Sequence, residues 1–198
     1  MSGFDRRAVS DPRQIRALSS AVRQEIVDTM AALGGSAAVA DLAAQLGRPA
    51  DGLYYHLRLL AHHGLIEECA GGPGKERRYR LAGRGSAPLR LAYRTGAADN
   101  LSALTGFARS LLQVAAHDFE EALDDSAAVL QGPRRELWTA RNKGWVSAEN
   151  LEEINALIER LNELVSQPSA PDRKRLITFS FVLAPVSPRP KRRGGAVG

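Results

Sequence analysis

Two residues, Gly47 and Arg48, separate two short amphipathic segments of this chain. The first covers about residues 38–46 and repeats apolar side chains at Val39, Leu42 and Leu46. The second covers about residues 49–63 and repeats them at Leu53, Leu57 and Leu60. Spacings of three and four place each set on one face of a helix. Gly47 suits the left-handed position that closes a helix. Pro49 lacks an N–H that the first turn of a helix would leave unused, so it suits a helix start. Two helices joined by so tight a turn form one structural unit, and the rest of the chain is read around it.

Before this unit, residues 11–33 read as a single helix. Asp11 is a good N-cap, Pro12 fits the first helical position, and Gln14 completes a capping-box pattern. Ile15, Leu18, Val22, Ile26 and Met30 make one apolar stripe, and Gly34-Gly35 ends it. After the unit, Gly64 ends the third helix. Residues 65–70 (LIEECA) and 77–81 (RRYRL) then flank the glycine-rich run 71–76. That arrangement predicts a β-hairpin, with Lys75, Arg77, Arg78, Arg80 and Arg84 at its base.

The pattern changes after residues 82–87 (AGRGSA), which read as a linker. Leu89, Leu91 and Tyr93 alternate with polar or small residues, as in a short strand. Residues 99–123 predict a long helix with Leu104, Phe107, Leu111, Val114 and Ala115 inward. Residues 137–142 suggest a strand. Ser147 caps a helix striped by Leu151, Ile154, Leu157, Ile158, Leu161 and Leu164, with Glu149, Glu152 and Glu153 near its positive end. Ile177, Phe179, Phe181 and Leu183 alternate with Leu176, Thr178, Ser180 and Val182, the best strand pattern in the chain.

The expected class is therefore α+β and mainly helical: an N-terminal winged helix-turn-helix, then a small β-α-β-α-β-like domain. The expected divisions are a flexible N-terminus (1–10), a winged helix-turn-helix (11–83), a dimerisation and effector domain (84–183) and a disordered basic tail (184–198).

The formal charge of +5 is unevenly spread. Residues 1–83 hold 11 Lys/Arg against 9 Asp/Glu, residues 84–183 hold 12 against 13, and residues 184–198 hold four basic residues and no acid. Local placement, rather than bulk charge, must therefore carry any electrostatic argument. Cys69 is the single cysteine, which leaves no intrachain disulfide and fits a cytoplasmic protein. No apolar run approaches the ~20 residues that span a bilayer, and the first ten residues lack the apolar core of a secretory signal.

In a winged helix-turn-helix the third helix presents side chains to the major groove, which is ~12 Å wide and admits one helix. The helix before it braces it, and the wing carries cations to flanking phosphates. Residues 48–81 resemble ArsR-type winged-helix regulators. Leu53-Tyr54-Tyr55-His56-Leu57 resembles that family's recognition-helix core, Gly64-Leu65-Ile66 its entry into the wing, and Tyr79-Arg80-Leu81 its closing strand. Residues 18–26, with Arg23, resemble its first helix, so the likeness covers about residues 11–83. The resemblance implies a bacterial-type transcription regulator that binds double-stranded DNA as a homodimer on a pseudo-palindromic operator. Metal-sensing members carry cysteine pairs or His/Asp/Glu sets; Cys69 stands alone, so no metal and no cofactor is expected.

Ala50, Asp51, Tyr54, Tyr55 and Arg58 are the candidate DNA contacts on the helix, and Lys75, Arg77 and Arg78 those on the wing. Asp51 has two readings, acceptor for a cytosine amino group or first-turn acid favoured by the helix dipole. His56 sits beside buried leucines and reads as a satisfied core histidine. Tyr93, Trp138, Trp145, Phe179 and Phe181 are candidates for a small-molecule effector pocket. No Gly-x-Ser-x-Gly, phosphate-binding glycine loop or His-Glu-x-x-His occurs, so no catalytic residues are assigned and an enzyme is not expected. A protein–protein interaction module is the alternative, because the head is nearly neutral.

Overall fold

The computed structural model describes residues 8–69, 77–83, 90–93, 98–167 and 169–187. In order the elements are β1 (Ala8–Val9), α1 (Pro12–Leu18), α2 (Ala21–Ala32), β2 (Ser36–Ala38), α3 (Val39–Leu46), α4 (Ala50–His62), β3 (Ile66–Cys69), β4 (Arg78–Leu81), β5 (Arg90–Leu91), α5 (Ala98–Asp124) and α6 (Ala148–Val165).

The helix expected over residues 11–33 is two helices. Ser19 and Ser20 divide it: the Ser19 hydroxyl donates to the Ile15 carbonyl at 3.0 Å, and Ser20 takes an extended conformation as the N-cap of α2. Short hydroxyl side chains offer the backbone alternatives to the helical ladder, and the apolar stripe does not register such a break. Asp11 caps α1 by accepting from the Arg13 N–H at 2.8 Å. Gln14 does not complete a capping box; its amide reaches the His63 carbonyl instead, at 2.7 Å.

The tight turn forms as its sequence requires. Gly47 closes α3 at φ +59° and donates to the Ala43 carbonyl. Pro49 is the N-cap of α4 rather than its first residue. Leu42 of α3 and Leu53, Leu57 and Leu60 of α4 are buried in one core with Ile15, Leu18, Ile26, Met30 and Tyr79. The wing hairpin pairs β3 with β4 antiparallel, Ile66 opposite Leu81 and Cys69 opposite Arg78. A third strand, β2, adds to β4 with Ser36 opposite Arg80. Its three residues are too few to show an alternation, so this strand was not foreseen.

The second half departs from the expected β-α-β-α-β unit. Leu91 lies in β5, which is only two residues long and runs parallel to β1. Leu89 lies outside the described residues. Val9 is fully buried, so the N-terminal segment expected to be flexible contributes to the core from residue 9. Residues 137–142 and 176–183 are not strands. Isolated alternation cannot make a strand without a neighbour to accept its hydrogen bonds, and no backbone–backbone hydrogen bond joins either run to another described segment. Of the expected basic tail, residues 184–187 have no regular structure and residues 188–198 lie outside the described residues.

Helix α5 packs on α1 and α2 of the head. Its buried residues are Asn100, Ala103 and Ser110, with Leu104 and Phe107 half-buried against the core. Gly106 permits the close approach: a Cβ there would stand 3.3 Å from Ser19 Oγ. The seam is partly polar, with the Ser19 hydroxyl 3.4 Å from the Ala103 carbonyl and the Gln24 amide 3.4 Å from the Phe107 carbonyl. Of the expected inward set of α5, Leu104 and Phe107 therefore face the head. Helix α6 buries no residue, and Leu157 and Leu164 of its stripe are more than half exposed.

Candidate nucleic-acid interface

The leucine stripe of α4 determines what the helix presents outward. With Leu53, Leu57 and Leu60 buried, Asp51, Tyr55, Arg58 and His62 stand exposed along the opposite side. Their spacings of three and four make one continuous ridge. Tyr55 is 60% exposed, a large amphipathic ring held out into solvent. Tyr54 and Ala50 are placed differently: both are half-buried and pack against the core. The ridge is thus narrower than the sequence expectation, with Asp51, Tyr55 and Arg58 as its candidate readers.

His56 lies half-buried behind this ridge, its ring edge-on to Tyr55 at 5.3 Å between centroids. Its Nδ1 is buried without a hydrogen-bond partner among the described residues, so within them it is not the satisfied core histidine expected. Burial, then the nearby charges of Arg23 and Arg48, hold the imidazole below its ordinary range. Arg23 is anchored by its Nε donating to the Ala17 carbonyl.

The wing is more neutral than its sequence implies. Arg80 faces Glu67 across the β3–β4 ladder and donates to it at 2.7 and 3.0 Å. Arg77 stands 3.8 Å from Glu68, and Arg78 stands 3.8 Å from Asp41 of α3. These pairs are solvent-exposed, and exposed pairs contribute only about 0–1 kcal/mol. Phosphates can therefore compete for the arginines, at the cost of parting them from their acids. Lys75 lies outside the described residues.

One cation was missed. Arg48 sits in the turn at the start of α4 and holds Glu25 at 3.2 Å while remaining 41% exposed. Its position between a helix-closing glycine and a helix-starting proline was the available signal, since that turn stands at the N-terminal end of the presented helix.

The five aromatic candidates for an effector pocket are not gathered. Tyr93, Trp138 and Trp145 are 77%, 67% and 93% exposed. The Arg135 guanidinium lies over the Trp138 ring, 3.0 Å from its centroid. Only Phe179 and Phe181 meet, with centroids 5.6 Å apart. The expected strands that would have brought these rings together are absent, so no shared cavity forms from them. Among the described residues, no group of three or more His, Cys, Asp or Glu side chains could hold a metal ion. Among them too, no helix is long and apolar enough to cross a membrane.

Residues 18–69 match the helix-turn-helix domain family, a span from the end of α1 to the end of β3. Comparison with curated proteins gives no match.

Proposed function

We propose that this chain is a sequence-specific DNA-binding transcription regulator of the ArsR type, not an enzyme, acting in the cytoplasm as a homodimer. The observation that carries the reading is the ridge of α4: Asp51, Tyr55 and Arg58 are exposed because the leucines behind them are buried. Supported by α3, α4 offers that ridge as a single exposed helix face, the form of element that a major groove admits. Arg58 suits guanine, whose O6 and N7 accept a bidentate pair, and Tyr55 suits a thymine methyl or a phosphate. The helix-turn-helix match over residues 18–69 supports the same reading. Two heads related by a two-fold axis would read half-sites about 34 Å apart. The exposure of Tyr93, Trp138 and Trp145 gives no support to a shared effector pocket with Phe179 and Phe181.

The test is selection of bound sequences from a random DNA pool by the full chain, followed by Arg58→Ala and Tyr55→Ala. Each substitution is expected to weaken the selected site by about 1–3 kcal/mol and to relax one position of it. A pool that yields no preferred sequence, with parent and variants binding alike, overturns the reading. The paired arginines of the wing favour one second reading, a protein-binding winged helix. It predicts weak binding to random DNA with little dependence on salt.

A further inference from the structure

Residues 176–183 (LITFSFVL) form a run outside any helix, strand or turn, with no charged side chain. Ile177, Phe179, Phe181 and Leu183 are 41%, 41%, 42% and 52% exposed, and Leu176 and Val182 are more so. No backbone–backbone hydrogen bond joins residues 174–187 to any other described residue. The run is nevertheless anchored at its start. Arg175 holds Asp125 at 3.0 Å and Glu136 at 2.9 Å, and the Thr178 hydroxyl hydrogen-bonds the Asp118 carboxylate of α5. A run of high β-propensity, held in place with both edges unpaired, is a template for another strand.

We propose that residues 176–183 pair antiparallel with residues 176–183 of a second copy of this chain, forming a two-stranded ribbon across a two-fold axis. The rest of the chain offers no other uncharged apolar run of this length and alternation. The segments outside the described residues, such as AGGPGKE, RGSAPL and PRPKRRGGAVG, are short or rich in Gly, Pro and charge. Charge sets the direction. A parallel pair would bring Arg173, Lys174 and Arg175 of both copies together, whereas an antiparallel pair sends them to opposite ends of the ribbon. Directly opposed residues lie on the same face, so the aromatic row meets its copy in registers centred on a residue, and those centred on Phe179 or Ser180 pair the greatest length of the run. The doubled row Ile177–Phe179–Phe181 would also give the bare stripe of α6 an apolar surface to close on. This inference deepens the homodimer reading and does not depend on DNA binding.

The experiment is a single-cysteine scan of the full chain in a Cys69→Ser background. Leu176→Cys, Phe179→Cys, Ser180→Cys and Leu183→Cys are oxidised and compared on non-reducing gels, beside sedimentation of the parent. At the centre of a two-fold strand pair the two Cα atoms fall within disulfide reach. A residue three places from the centre lies roughly 20 Å from its own copy. Phe179→Cys or Ser180→Cys is therefore expected to give at least about fivefold more linked dimer than Leu176→Cys and Leu183→Cys. A sedimenting dimer with equal, low linkage at all four positions overturns the ribbon and leaves the homodimer standing. A parent that sediments as a monomer overturns both.

Discussion

The side-chain amide of Gln14, in the first turn of α1, donates to the backbone carbonyl of His63 at the end of the presented helix α4. The residues are 49 apart in sequence. The bond fastens the C-terminal end of α4 to α1, while the leucine stripe fixes its face. Gln14→Ala is expected to destabilise the chain by about 1 kcal/mol, the usual net contribution of one such bond. Gln14→Glu should cost more, because a carboxylate would face a carbonyl oxygen. Denaturant titration of the three proteins checks both; equal midpoints would mean that the bond contributes nothing.

The Glu67–Arg80 pair on the wing gives a prediction of opposite sign. Glu67→Gln removes an acid from the wing and frees Arg80. Affinity for random DNA should rise by a few fold, about 1 kcal/mol at most, and the log K against log salt slope should steepen by about 1. Stability should hardly change, since the pair is exposed. Fluorescence anisotropy across a salt series reads this, and an unchanged slope would remove β3–β4 from the DNA surface.

Gly106 of α5 faces Ser19 of the head with little room between them. Alanine would favour the helix over glycine by about 1 kcal/mol, but its Cβ would press on Ser19 Oγ at 3.3 Å. Gly106→Ala alone should therefore be near neutral. In a Ser19→Ala background the nearest remaining contact is the Cβ of residue 19 at 3.5 Å, an ordinary distance. There the same substitution should stabilise by about 0.5–1 kcal/mol. Thermal unfolding of the four proteins completes the cycle, and purely additive effects would mean that α5 does not press on Ser19.

The α2–α5 crossing should make stability depend on pH. Desolvation, then the charges of Asp118 and Glu25, push Asp28 up to about 6. Desolvation also raises Asp118, against the Thr178 hydrogen bond. Asp28 keeps an exposed surface, so solvent screens part of this effect. A raised carboxyl binds its proton more tightly in the folded state. Stability is therefore highest below the ordinary carboxylate range and is lost as pH rises from about 4 through 6. Asp28→Asn should match the parent near pH 4 and exceed it increasingly towards pH 7. Equal stability at both pH values would show that Asp28 titrates normally.

Sequence alone determined the α3–turn–α4 unit of the head because its signals are local. Gly47 and Pro49 punctuate α3 and α4, and the period of Leu53, Leu57 and Leu60 assigns one side of α4 to the core and leaves Tyr55 and Arg58 outside. Long-range contacts decided the rest. Whether Gln14 caps its own helix or reaches His63 depends on where α4 ends in space. Whether Arg77, Arg78 and Arg80 stand free depends on acids brought opposite them by strand register and by α3. In the second half, the stripe of α5 specified a helix but not which surface it covers. Small residues at Ala103 and Gly106 let it lie on α1 and α2. Residues 176–183 show the limit most plainly. Alternation along a chain prepares two faces and two edges, but a strand exists only where another strand supplies the hydrogen bonds, and position in space rather than composition decides that.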